Sequence, residues 1–234
     1  MRYPVVIEQV KHVRVVRDDL IPGGSKQRVL APLMERLAAS GYERFVFGGP
    51  AEGYAQLALA FAAQEVGVQA SYFVAQRRLL HPNTVRAQAA GCEIHDVPHG
   101  RLNVVQARAR AFCEETGAYF FPLGFATPEF QSMLTMEITE ALSDVAVSEI
   151  WCVAGSGLLS RCLQAAKPEA VVNAVRIGFP PEVGAARLLT APEPFSETAR
   201  QPPPFPSSAN YDAKAWQFVM RHASPGALFW NVGA

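Results

Sequence analysis

The chain has 234 residues, half of them hydrophobic and 18% charged, which supplies a packed core and excludes wholesale disorder. Lysine plus arginine (21) balances aspartate plus glutamate (21), so the formal net charge is zero. That balance excludes a general nucleic-acid coat and a polybasic membrane binder, while leaving room for a local basic groove. The length allows one large domain or two small ones. Four scattered cysteines (Cys92, Cys113, Cys152 and Cys162) form no C-x-x-C pair, the usage of a cytosolic protein with reduced thiols. The first eight residues have no apolar leader core, and no uncharged apolar run reaches the roughly 18 residues of a spanning helix. A soluble, cytoplasmic protein without membrane contact is expected.

In chain order, the β-branched run at residues 13–16 predicts a strand. A loop over residues 18–25 follows. Residues 26–39 place Val29, Leu30, Leu33, Met34 and Leu37 at helical spacing, and Gly41 ends that helix. Strands are predicted at 45–47, 70–74, 93–97, 119–121, 149–153, 171–177 and 227–232. Helices are predicted at 54–66, 84–90, 104–116, 130–142, 158–166 and 211–221, several of them closed by glycine. Residues 179–210 are proline-rich and read as an extended surface segment with little regular structure. Alternating strands and helices predict an α/β fold with mostly parallel sheets and helices on both faces. Ligands of such sheets bind in the loops at the carboxyl ends of strands.

Three glycine-rich loops are the candidates for chemistry. In Gly155-Ser156-Gly157-Leu158 a buried strand delivers two glycines and a serine to a helix start. Free N–H groups and the positive helix end there suit a phosphate, although a plain tight turn reads the same way. In Gly23-Gly24-Ser25-Lys26 a lysine occupies the first turn of a helix, where the dipole disfavours a cation and lowers the amine pKa. That placement suits a nucleophilic or Schiff-base lysine, against the alternative of a solvated one. The third loop, residues 48–54, carries Glu52 and Tyr54. The five histidines (His12, His81, His95, His99 and His222) show no metal-ligand spacing, and no metal is expected.

Together these loops resemble those of fold-type II pyridoxal 5′-phosphate (PLP) enzymes. This is the tryptophan synthase beta-like family, and the nearest likeness is to its branch of aminocyclopropane-carboxylate deaminase and D-cysteine desulfhydrase. Arg17-Asp-Asp-Leu followed by Gly24-Ser25-Lys26-Gln-Arg28 is similar to the segment bearing the cofactor lysine. Residues 47–54, Phe-Gly-Gly-Pro-Ala-Glu-Gly-Tyr, stand where the family has its substrate-carboxylate loop. Ala154-Gly155-Ser156-Gly157 stands where it has its phosphate cup. Ser25 replaces an asparagine, Gly53 stands about where the family contacts the ring hydroxyl, and Leu158-Leu159 replace Gly-Thr in the cup.

The resemblance implies a fold-type II architecture, PLP as cofactor, and a homodimer. A larger cofactor-binding subdomain (1–44 and 126–234) would enclose a smaller inserted one (45–125). It implies Lys26 as covalent anchor, with Gly155, Ser156, Gly157 and Leu158 at the phosphate. Asn231, on a late loop, would be the neutral partner of the pyridine nitrogen. Tyr54 is an acid/base candidate, and Glu52 would face either a substrate amine or a departing carboxylate. The implied activity is a PLP-dependent lyase acting on an amino-acid group by decarboxylation or by elimination or deamination. The ending Leu-Phe-Trp-Asn-Val-Gly is similar to short phage-type members, which extends the expected substrate to an amino-acid group on a modified thymine in DNA. Arg77, Arg78, Arg86, Arg101, Arg108 and Arg110 are candidates for a basic rim. The alternative is a non-catalytic phosphate- or nucleotide-binding protein using the same loops.

Overall fold

A computed structural model describes residues 3–98 and 100–234; Met1, Arg2 and His99 lie outside the described residues. In chain order the elements begin with β1 (Ile7–Val10), β2 (Val13–Arg17), α1 (Gln27–Ala39), β3 (Arg44–Gly48), α2 (Ala55–Val66), β4 (Gln69–Ala75), α3 (Pro82–Ala89), β5 (Glu93–Val97), α4 (Leu102–Thr116) and β6 (Tyr119–Phe120). They continue with α5 (Pro128–Ala141), β7 (Glu149–Ala154), α6 (Leu158–Ala166), β8 (Val171–Arg176), β9 (Arg187–Thr190), α7 (Trp216–His222) and β10 (Leu228–Asn231). Two compact units result, one from Met1–Ile21 with Pro128–Ala234 and the other from Pro22–Thr127.

The first unit is built on a six-stranded sheet in the order β1-β2-β10-β7-β8-β9. β1 runs antiparallel to β2, and the other pairs are parallel. In β2 the valines Val13, Val15 and Val16 are all fully buried, as in a strand covered on both faces. Val13 and Val15 join Trp151, Val153, Val175, Trp216, Val219 and Phe229 in one core cluster. The carboxyl end of β7 feeds residues 155–157 into α6, so the glycine turn occupies the ligand-binding end of the strand.

The second unit has four parallel strands in the order β5-β4-β3-β6. Helix α4 covers one face through Val105 and Ala109, against Val46, Phe73 and Val97. On α1 the residues predicted at helical spacing, Val29, Leu30, Leu33 and Met34, are buried, and the helix packs on the alanine-rich α2. Phe47 stacks between Phe125 and Tyr72, at 4.8 and 5.8 Å between ring centroids.

Helix α1 packs on α2 and belongs to the unit Pro22–Thr127. One expectation changes. The proline-rich segment contains a strand: residues 187–190 pair in parallel with β8 from Asn173 to Arg176. Four residues free of proline are enough to extend a sheet edge.

Candidate active site

The loop before α1 fixes the backbone around Lys26. The Gly23 N–H donates to Oε1 of buried Gln27 at 2.6 Å, and Gln27 Nε2 donates to Glu65 at 2.9 Å. A Cβ at Gly23 would stand 2.8 Å from the Ala58 Cα, so only glycine lets the loop lie this close to α2. Gly24 adopts a left-handed φ of 67°, and its carbonyl accepts the Gln27 N–H at 2.9 Å. Lys26 is half-buried at the N-cap of α1, where its carbonyl starts the helix by accepting the Leu30 N–H. The Tyr54 hydroxyl, at the start of α2, donates to the Pro22 carbonyl at 3.2 Å and ties the lysine loop to the third glycine loop.

That third loop has its carbonyls taken from outside. Gln106 Nε2 donates to the Gly48 carbonyl. The Tyr72 hydroxyl donates to Pro50 at 3.0 Å, and Asn83 Nδ2 to Glu52 at 3.3 Å. Fully buried Gln56 donates to both Ala51 (2.6 Å) and Gly53 (3.1 Å). Burial pushes the Tyr72 hydroxyl well above its ordinary pKa, with Cys92 and Glu52 adding to the shift, so it remains a donor. Among the described residues, the N–H groups of Ala51 and Glu52 have no acceptor. The loop therefore keeps the Ala51 and Glu52 N–H groups open while the carbonyls of Gly48, Pro50, Ala51, Glu52 and Gly53 are occupied, which suits a carboxylate. The Glu52 side chain is 7% exposed and pairs with Arg77 at 2.7 Å. Its charge is thus answered by a guanidinium.

In the first unit, Gly155, Ser156 and Gly157 form the turn into α6. Gly157 takes a left-handed φ of 84°. The Ser156 and Gly157 N–H groups have no acceptor among the described residues, while the Leu158 N–H is turned to Ser156 Oγ at 3.4 Å. The Gly155 N–H is occupied: it donates to the Tyr211 hydroxyl at 2.8 Å. Burial, reinforced by Asp212, pushes that phenol well above its ordinary pKa. Two adjacent free N–H groups at a helix N-terminus suit a phosphate monoester.

Asn231 is fully buried at the end of β10. Its Nδ2 donates to Asp19 at 2.8 Å and to the Pro206 carbonyl at 2.9 Å, and its Oδ1 accepts from Ser207 Oγ at 2.7 Å. Both amide hydrogens are spent, so a pyridine nitrogen would have to displace one of these partners. Asp19 in turn chelates Arg17 at 2.8 and 2.7 Å. Lys214 is fully buried and donates to the Pro194 carbonyl at 2.7 Å. Among the described residues no group of three His, Cys, Asp or Glu side chains could hold a metal ion, and no helix is long and apolar enough to cross a membrane.

Lys26, Glu52 and Tyr54 belong to the second unit, and Gly155, Ser156, Gly157, Leu158 and Asn231 to the first. Sequence reasoning missed the side chains that shape the loops: Gln56, Tyr72, Asn83 and Gln106 on one, Tyr211 on the other. Only Tyr211 carried a signal, as an aromatic residue opening a helix after the proline-rich segment.

No protein-family model and no curated protein matches the sequence. Solved structures do match. An ACC deaminase homologue superposes with a TM-score of 0.84 at 16% identity, over 99% of this chain and 89% of that one. The processed form of threonine deaminase isoform 2 from Solanum lycopersicum gives 0.72 at 12% identity, over 98% and 83%. The diaminopropionate ammonia lyase of Escherichia coli, in complex with an aminoacrylate-PLP azomethine reaction intermediate, gives 0.67 at 11% identity, over 95% and 79%. These neighbours are fold-type II PLP enzymes, and the chain has their fold.

Proposed function

We propose that the protein is a PLP-dependent lyase that breaks a bond at the α-carbon of an amino-acid group, by elimination or deamination. The observation that carries this reading is a pair of backbone cradles with open N–H groups, at Ser156 and Gly157 and at Ala51 and Glu52, on a fold shared with PLP-dependent deaminases and lyases. When bound, PLP supplies an electron sink for the pair left on the α-carbon. The chain's own residues do the rest. The Ser156 and Gly157 N–H groups hold the phosphate. Lys26 Nζ would anchor the aldehyde carbon and, once the substrate amine has displaced it, would accept the proton from the α-carbon. The Ala51 and Glu52 N–H groups orient the substrate carboxylate, and Tyr54 fixes the Pro22 carbonyl four residues before the lysine. The Arg77 partner of Glu52 favours elimination or deamination over decarboxylation, since a neutralised Glu52 exerts little repulsion on a substrate carboxylate.

Added PLP should turn the protein yellow, and borohydride should then fix the label on Lys26, as read by peptide mass. Labelling at Lys214 would refute the Lys26 assignment, and no visible band in the wild type together with phosphate-ester binding that survives Lys26→Ala would establish the non-catalytic binder instead. Assays of ammonia, keto acid and carbon dioxide with free amino acids and with amino-acid-modified DNA assign the substrate. Keto acid from a free amino acid supports a small substrate, and turnover of modified DNA alone supports the DNA-borne group.

A further inference from the structure

Residues 178–185 form a strap bounded by two left-handed glycines, Gly178 (φ 80°) and Gly184 (φ 68°). The strap lies against the turn that holds Gly157. A Cβ at Gly157 would meet the Glu182 carbonyl oxygen at 2.1 Å, and the Glu182 N–H donates to the Ser156 carbonyl at 3.3 Å. Its backbone is held on α6 by side chains. Gln164 closes a two-point bridge, with Nε2 donating to the Val183 carbonyl and Oε1 accepting the Ala185 N–H, both at 2.7 Å. The same Nε2 also donates to the Ser160 carbonyl at 2.8 Å. Arg161 Nη1 donates to the Glu182 carbonyl, and Ser160 Oγ reaches the carbonyls of Gly157 (2.8 Å) and Val183 (3.1 Å).

This arrangement settles where acceptors and donors face around the turn. The carbonyls of Ser156 and Gly157 are spent on the strap and on Ser160, while the N–H groups of the same two residues stay open. A turn whose carbonyls are clamped on one side presents its N–H groups on the other without reorganising when an anion arrives. We propose that Gln164 is a positioning residue for phosphate binding: it touches no ligand and acts by clamping the strap that holds the Ser156–Gly157 turn in its donor-out form. The inference rests on the phosphate-binding reading of that turn.

The test separates the phosphate from the rest of the ligand. The full chain and its Gln164→Leu variant are titrated calorimetrically with pyridoxine 5′-phosphate and with pyridoxine, neither of which has an aldehyde to react with lysine. Gln164→Leu should weaken the phosphate ester about tenfold and leave pyridoxine unchanged. Unchanged affinity for the ester, or equal weakening of both ligands, would overturn the proposal. Should Gln164→Leu fail to fold, as judged by circular dichroism, Arg161→Met answers instead: a selective loss for the ester supports the clamp, and no selective loss refutes it. A wild type that does not prefer the ester over pyridoxine refutes the reading of the turn itself, and the clamp with it, before any variant is made.

Discussion

The Tyr211 hydroxyl accepts the N–H of Gly155 at 2.8 Å, and the ring lies so close that a Cβ at Gly155 would be 2.9 Å from the hydroxyl oxygen. One tyrosine thus fixes the first residue of the turn and also requires it to be glycine. Tyr211→Phe would leave the Gly155 N–H unpaired in a largely buried place. A loss of about 1–2 kcal/mol in urea-denaturation stability is expected, with weaker binding of the phosphate ester. An unchanged denaturation midpoint would show that water replaces the phenol at no cost.

Gly157→Ala is expected to be more severe. The substitution demands a left-handed alanine and drives its Cβ into the Glu182 carbonyl, which is backbone and cannot rotate aside. The strap must then leave α6. Stability should fall by more than about 2 kcal/mol, and amide exchange in residues 180–185 should accelerate. Exchange rates equal to those of the wild type would disprove the wedge.

Gln56→Leu keeps the volume of the side chain and removes the two bonds to Ala51 and Gly53. A cost of about 2 kcal/mol is expected, because two loop carbonyls lose buried donors. Amino-acid substrates should show a raised KM with a smaller change in kcat, since the loop only orients the carboxylate. A fall in kcat at constant KM would contradict that assignment.

Asn231→Ala discriminates between a network residue and a ring partner. Loss of the bonds to Asp19, Pro206 and Ser207 should lower stability by about 2–3 kcal/mol. The visible absorption maximum of the PLP-loaded protein should stay where it is. A displaced maximum would return Asn231 to the pyridine nitrogen.

Burial, with Glu93 adding to it, pushes the Cys92 thiol up to about 12, and burial with Glu114 pushes Cys113 to about 11. Both exceed the ordinary value of 9.0, so at pH 8 the folded protein holds these thiols protonated. Native protein should react with a disulfide reagent on the order of a hundredfold more slowly than the unfolded chain. The sign for stability follows: unfolded thiols ionise first, so stability falls as the pH rises from about 9 towards 12 and is unaffected by these groups below that window. Rapid labelling of native protein at pH 8 would contradict the burial.

The alternation of strands and helices was legible because most strands are short β-branched or aromatic runs and most helices end at a glycine. The three glycine loops were legible for the same local reason. Long-range facts were not. The antiparallel strand β1, Ile-Glu-Gln-Val, has no two-residue rhythm of burial, since both central residues are exposed. The grouping of α1 depends on its packing against α2. The task of Asn231 depends on Asp19, 212 residues away in the chain, and the clamp by Gln164 on a strap 19 to 21 residues downstream. Such partners leave no trace in the local spacing of either residue.

The pairing of β10 with β2 joins Arg14, Val15, Val16 and Arg17 to Leu228, Phe229, Trp230 and Asn231. During synthesis the contiguous unit of residues 22–127 can leave the ribosome and fold as soon as it is made. The other unit cannot close its sheet then, because β10, which sits between β2 and β7, follows β2 by some two hundred residues. Its valine-rich strand β2 must wait, half-paired in a hairpin with β1, while some two hundred residues emerge. The nascent chain therefore carries an exposed apolar strand edge until β10 emerges, and that edge is where a chaperone that binds extended hydrophobic segments would engage it.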